Sequence, residues 1–171
     1  LWFLLKELYN KGYLYKGYTI QPYSPAAGTG LSTHELNMPG AYRDVKDTTC
    51  VAQFKIKSPK PEMSHFGEAF FLAWTTTPWT LPANVGISLN PDENYALTTD
   101  GYIVAEALYE KCKAGGLFEG EIKKSFPSKT LENLNAINPL NGRNSTIVLG
   151  SHVAVEDGTG CVHTAPGHGE D

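Results

Sequence analysis

Trp74-Thr75-Thr76-Thr77-Pro78-Trp79-Thr80-Leu81-Pro82-Ala83-Asn84 follows directly on the apolar run Ala69-Phe70-Phe71-Leu72-Ala73-Trp74. The length and aromatic content of that run predict a buried strand. The three threonines that close it suit a strand, because β-branched side chains pack well on a pleated surface. Each also adds a hydroxyl that can donate and accept. Pro78 and Pro82 then fix φ and remove two backbone donors, so neither an interior strand nor a helix interior continues. A stiff turn at a strand end is expected, presenting hydroxyls, the Trp79 indole and the Asn84 amide. Packing alone would explain a threonine-rich strand before a proline turn. It does not easily explain two tryptophans, two prolines, four threonines and an asparagine in eleven residues.

The closing segment, Gly158-Thr159-Gly160-Cys161-Val162-His163-Thr164-Ala165-Pro166-Gly167-His168-Gly169-Glu170-Asp171, has the same mixed character. A short apolar stretch leads into His163 and Thr164, and a Gly/Pro turn with a second histidine follows. His163 at a predicted strand end is placed where functional groups collect, although a lone histidine is more often a satisfied structural residue.

A chain of 171 residues is one domain by its length and can bury a substantial core. The formal net charge of −4 gives no global basic field, so any contact with nucleic acid must be local or shared with other parts. Cys50, Cys112 and Cys161 are few and widely spaced, which points to a reduced, cytosolic protein without a disulfide framework. The apolar start, residues 1–5, is too short for a signal peptide and has no basic leader. No run approaches the length of a membrane span. A start at Leu1 within a helical stripe, and a stop in a Gly/His/acidic run, read as a segment of a longer protein.

Leu1, Leu4, Leu5 and Leu8 form a helical stripe over residues 1–11, ordinary in its packing, with Gly12 as its stop. Residues 13–23 should be extended and residues 24–30 a loop. The Gly28-Thr29-Gly30 there lacks the third glycine and the following helix of a dinucleotide fingerprint. Residues 32–47 read as polar and irregular, with His34 and Glu35 solvated. Residues 50–56 alternate as a half-buried strand, and residues 57–67 form an exposed connection. Beyond Asn84, residues 85–89 are a short strand and residues 90–93 a proline turn. Asp100-Gly101 joins strands at 95–99 and 102–105 into a hairpin. A short helix fits residues 106–113. Weaker strands are expected at 118–125 and 130–134, a loop at 138–144, and strands at 147–149, 153–155 and 160–164. Many short strands with a few short helices predict an α+β, mostly β, barrel-like domain.

Several chemistries are excluded. There is no Gly-x-Ser-x-Gly elbow and no Gly-x-x-x-x-Gly-Lys-Ser/Thr loop. His163 and His168 lie five apart with no Cys-x-x-Cys, so a metal would need ligands from elsewhere, and no metal or other cofactor is expected. What remains is a polar pocket able to hold a water against an ester without a protein nucleophile.

Together the two motifs closely resemble the editing domain inserted into the catalytic core of isoleucyl-tRNA synthetases. The likeness covers most of the chain, weakly over residues 23–35 and strongly at the motifs. Related valyl and leucyl domains carry Thr-Thr-Arg-Pro at the first motif and end the second in Ala-His-Asp. Thr-Thr-Thr-Pro-Trp-Thr-Leu-Pro-Ala-Asn and His-Thr-Ala-Pro-Gly-His-Gly are similar to the bacterial isoleucyl type.

The resemblance implies the β-barrel editing fold, a single editing domain over residues 1–171, and a helix over 1–12 at the junction with the catalytic core. It implies hydrolysis of Val-tRNA(Ile) by a positioned water, within a cytoplasmic enzyme that ligates isoleucine to tRNA(Ile) with ATP. Its partners would be the valine-charged 3′ end of tRNA(Ile) and the catalytic core, with no membrane. The catalytic group it implies is Thr76, Thr77, Asn84 and His163. The first three would meet the ester, the terminal adenosine or the water, and His163 would limit side-chain size. Thr75, Trp79, Thr80, Thr164 and Asp171 would bind substrate, with Trp79 shaping the pocket. The family's aspartate for the substrate ammonium falls one position after Asp171, the nearest acid, which takes the role here. A non-catalytic insertion that positions the tRNA acceptor end, and a metal-binding β-domain, are the competing expectations.

Overall fold

The computed structural model describes residues 1–57 and 68–168. They fall into two compact units, Leu1–Val45 and Lys46–Asp171.

In the first unit, α1 (Trp2–Asn10) follows the leucine stripe and stops before Gly12, whose φ of +77° is the left-handed conformation glycine tolerates. No residue of the expected packing helix is fully buried: Leu5 is half-buried, and Leu1, Leu4 and Leu8 are exposed. Residues 13–22 form no strand. The loop expected at 24–30 is a small hairpin, β1 (Tyr23–Ser24) against β2 (Thr29–Gly30). Within the stretch expected to be irregular, α2 (Thr33–Leu36) forms. Ser32 caps it by accepting from Glu35 N, and the Glu35 carboxylate accepts from Ser32 N at 2.7 Å. This reciprocal pair also holds the Glu35 carboxyl below the usual carboxylate range.

The second unit is built on a closed barrel. Its strands are β3 (Cys50–Ile56), β4 (Phe70–Thr75), β5 (Gly86–Leu89), β9 (Asn135–Ile137), β10 (Asn144–Leu149) and β11 (Cys161–Thr164). They run in the order β4-β3-β9-β10-β5-β11, and β11 returns to β4 through Val162 opposite Trp74. Closure leaves these strands no free edge at that point. β4 is the branch: β3 pairs with it from Cys50↔Thr75 to Lys55↔Phe70. Its other side takes β7 (Tyr102–Ala105) at Phe70 and Phe71, and β11 at Trp74. From β7 the sheet extends to β6 (Asn94–Thr98) and β8 (Ile122–Pro127). The hairpin between β6 and β7 turns at Gly101 with φ +86°, as its Asp-Gly predicts. Phe54, Phe71, Ile87, Leu89, Leu97, Ile103 and Ile147 are fully enclosed and form the core.

Two expected strands are absent. Residues 130–134 instead complete a helical turn, α4 (Ser128–Leu131), and pass through Asn133 at φ +64° before β9 begins. Thr130 Oγ1 donating to Pro127 O at 2.8 Å supports that turn, and Leu131 fills the core from it. Residues 153–155 are loop. Val153 is buried without a ladder because its carbonyl accepts from Asn90 Nδ2 at 2.7 Å. The short helix expected at 106–113 is a 3₁₀ turn, Glu106–Leu108, running into α3 (Tyr109–Ala114). Apart from Lys57, the connection expected at 57–67 lies outside the described residues.

Candidate functional site

β4 ends at Thr75, and the chain turns at once. Thr77 N donates to Thr75 Oγ1 at 3.0 Å, with the two threonine hydroxyls 3.3 Å apart. Pro78 then opens a 3₁₀ turn, Pro78–Ala83, where a missing N–H costs nothing. Thr80 seals it, its N donating to Thr77 O at 3.0 Å and its hydroxyl to the same carbonyl at 2.8 Å. Pro82 lies inside the turn and helps end it, and Asn84 follows fully buried.

β11 reaches this turn from the other end of the sequence. It pairs antiparallel with β5, His163 opposite Ile87 and Thr164 opposite Gly86. Val85 N donates to Thr164 O at 3.0 Å. That register sets His163 between Asn84 and Thr80. Asn84 Nδ2 lies 2.8 Å from His163 Nδ1 and 2.8 Å from Gly86 O. Since Gly86 O can only accept, the nitrogen side of the Asn84 amide faces this way and donates to Nδ1. His163 therefore carries its proton on Nε2 and donates to Thr80 Oγ1 at 2.8 Å. Thr80 in turn donates to Thr77 O. Burial pushes the His163 imidazole below its ordinary pKa, and His168 beside it pushes the same way. The ring is neutral, and both nitrogens are engaged.

The two motifs enclose a cavity of about 290 Å³ lined by Trp74, Thr75, Thr76, Thr77, Thr80, Val162, His163, Ala165 and His168. His168 enters on a turn closed by its own N donating to Ala165 O at 3.1 Å, with Gly167 at φ +91°. The lining offers threonine hydroxyls, two imidazoles and apolar walls. Such a site suits a small polar acyl group and an ordered water.

Of the residues singled out from sequence, Thr75, Thr76, Thr77, Thr80 and His163 meet at this cavity. Asn84 does not line it and instead orients His163. Thr164 is half-buried, with its hydroxyl 2.8 Å from Ser88 Oγ. Trp79 is not a lining residue: at 72% exposure, it stands in solvent on the 3₁₀ turn. Asp171 lies outside the described residues. Trp74, Val162, Ala165 and His168 line the cavity although sequence reasoning gave them no site role. Their adjacency to the motif residues was the available signal. Among the described residues no three His, Cys, Asp or Glu side chains are grouped to hold a metal ion.

No family model matches the chain. Curated relatives do. The isoleucine–tRNA ligase of Porphyromonas gingivalis is 49% identical over 201 aligned residues, which cover all of this chain and 18% of the ligase. That of Nitratiruptor sp. is 49% identical over 168 residues, covering 98% of this chain and 18% of the ligase. The chain thus spans less than a fifth of these relatives. Among solved structures, the editing domain of the P. knowlesi cytosolic leucyl-tRNA synthetase superposes with TM-score 0.56 at 15% identity. That match covers 67% of this chain and 55% of the other. The CP1 domain of another leucyl-tRNA synthetase gives TM-score 0.59 at 14% identity, over 68% and 54%. At those identities the structural likeness concerns the fold.

Proposed function

The chain belongs to the isoleucine–tRNA ligase family as a counterpart of its editing domain, and from that premise we propose that it hydrolyses valine wrongly esterified to tRNA(Ile). Isoleucine and valine differ by one methylene. A single binding site gains about 1–3 kcal/mol from that difference, a limit for which this amino-acid pair is the standard illustration. A second, smaller site that admits valine and excludes isoleucine lifts the limit.

The observation that carries the proposal is the shared cavity. Three consecutive threonines, starting at the end of β4, line it together with His163 of β11, which is held by hydrogen bonds to Thr80 and Asn84. At about 290 Å³ the cavity lies at the small end of ligand sites, room for an aminoacyl group and a water but not for a whole nucleotide. In this reading Thr76 and Thr77 hold the ester and the water by their hydroxyls. Thr75 fixes Thr77 through the bond to its N–H. Thr80 and Asn84 lock His163, which stands as the wall against a larger side chain. Thr164 supports the His163 strand, Trp79 stands ready for the terminal nucleotide, and Asp171 takes the substrate ammonium. A preorganised water gains rate through positioning, without a covalent intermediate.

The proposed partners are the valine-charged 3′ end of tRNA(Ile) and the catalytic core of the ligase. In this reading both compact units belong to one editing domain over residues 1–171, with α1 at the junction with the catalytic core of a cytoplasmic enzyme. No described helix is long and apolar enough to cross a membrane.

The test is deacylation of Val-tRNA(Ile) against Ile-tRNA(Ile), by this chain and by a synthetase that carries it. Preferential release of valine is expected. Binding of charged tRNA without release of either amino acid would favour the competing role, a non-catalytic insertion that positions the acceptor end.

A further inference from the structure

Hydrolysis of an ester needs a group to take the proton of the attacking water, and the cavity lining narrows the choice. Threonine hydroxyls are too weakly basic at neutral pH. His163 is occupied: Nδ1 accepts from Asn84, and Nε2 donates to Thr80, so accepting a proton at Nδ1 would break the bond to a buried amide. Trp74, Val162 and Ala165 cannot serve. His168 remains. It lines the same cavity from the turn after β11, is solvent-exposed, and makes no side-chain hydrogen bond in the described structure.

We propose that His168 is the general base of the hydrolysis, and that His163, locked at both nitrogens, has a steric and not a proton-transfer role. This rests on the deacylase function proposed above. In the step, the water oxygen bonds to the carbonyl carbon of the valyl ester while His168 takes one of its protons. The bond from that carbon to the ribose oxygen then breaks, and the proton passes to the ribose oxygen as it leaves. The products are free valine and uncharged tRNA, and His168 is neutral again. Two features fit this division. Thr77 and Thr80 are tied together by the 3₁₀ turn, and the Ala165–His168 turn brings the imidazole to the cavity these threonines line. Among the described residues, the lining holds no titratable side chain other than His163 and His168. Glu170 and Asp171 follow His168 in sequence, outside the described residues.

The inference is tested with His168→Ala, His168→Gln and His163→Gln in a synthetase that carries this chain. Deacylation of Val-tRNA(Ile) is followed under single-turnover conditions across pH. Both His168 variants should lose on the order of 10² or more in rate and the acid-side fall of the pH profile. Added imidazole should restore part of the rate of His168→Ala. His163→Gln should keep that acid-side fall. Because His168 is exposed, the melting temperature of its variants should match the parent. A His168→Ala enzyme with undiminished rate and an unchanged acid limb overturns the assignment. So does a defect confined to KM without imidazole rescue, which would make His168 a substrate contact only. If the unsubstituted enzyme releases no valine, the deacylase function itself fails, and the inference with it.

Discussion

Thr80 Oγ1 lies 2.8 Å from His163 Nε2, joining positions 83 residues apart in the chain. The bond has one direction. Asn84 donates to the other ring nitrogen, so Nε2 must hold the proton and Thr80 must accept it. The Thr80 hydroxyl hydrogen is then free for Thr77 O, which closes the 3₁₀ turn. One neutral imidazole thereby couples the position of β11 to the conformation of the threonine turn. Substitutions on either side should be felt on the other.

Asn84→Ala should destabilise the barrel by about 1–3 kcal/mol. It leaves Gly86 O and the half-buried His163 Nδ1 without the donor that the fully buried Asn84 amide supplies. The loss is moderated because Asn84 Oδ1, itself buried without a partner among the described residues, is removed as well. Urea unfolding should show a lower midpoint with an unchanged slope. A midpoint equal to the parent would mean that the amide does not hold the ring.

Stability should fall on mild acidification. Burial in the fold lowers the His163 pKa from the ordinary imidazole value of about 6.5, so below that pH the unfolded chain binds more protons at this position than the folded one. Stability therefore rises with pH through this window. The contribution is complete above about 6.5 and is lost as pH falls toward the lowered folded value. Melting curves between pH 5 and 8 should show this slope in the parent and a shallower one in His163→Gln. Equal slopes would place the proton uptake elsewhere.

Gly160 and Gly167 both have positive φ, +72° and +91°, yet they should respond differently to alanine. A Cβ on Gly160 would sit 2.3 Å from Ala105 Cβ, inside the core contact between β7 and the start of β11. A Cβ on Gly167 meets nothing within 4 Å. Gly167→Ala should therefore cost only backbone strain, about 1–2 kcal/mol. Gly160→Ala adds overpacking of about 1–3 kcal/mol to the same strain. Thermal melting of the two variants should rank them in that order.

Much of this was legible in the sequence because the decisive elements are local. β3 follows from alternation, the β6–β7 hairpin from Asp-Gly, and the threonine turn from two prolines. The strand expected at 130–134 failed because β-branching at Thr130 and two leucines say nothing about Leu131 entering the core from a helical turn. The Ser32–Glu35 pair was visible at capping-box spacing, yet a polar stretch without apolar periodicity hid the helix it starts. Trp79 illustrates a different limit. An aromatic beside a pocket motif reads as a wall, but a 3₁₀ turn sends successive side chains about 120° apart, and that places Thr80 inside and Trp79 out. Trp74, which does line the cavity, closes an apolar run, and in the sequence nothing distinguishes it from the strand residues before it.

His163→Ala should change what the site releases and not merely how fast. Removing the ring deletes one wall of the cavity and enlarges it by several heavy atoms, while Thr76 and Thr77 keep their places between β4 and the 3₁₀ turn. Relief of a clash of one methylene recovers about 1–3 kcal/mol, so Ile-tRNA(Ile) should gain measurable hydrolysis while Val-tRNA(Ile) keeps some. The same change leaves Asn84 Nδ2 with only Gly86 O and Thr164 O, and Thr80 without its donor, so a lower melting temperature accompanies it. Thr77→Ala separates the two effects. It removes a hydroxyl facing the cavity and no wall, so valine release should slow without isoleucine being admitted. Its N–H still reaches Thr75, and stability should scarcely change. Deacylation of both charged tRNAs, with a melting curve for each variant, distinguishes a sieve from a strut. If His163→Ala loses valine hydrolysis and gains none on isoleucine, the wall that excludes isoleucine lies elsewhere in the lining, with Trp74 the next residue to truncate.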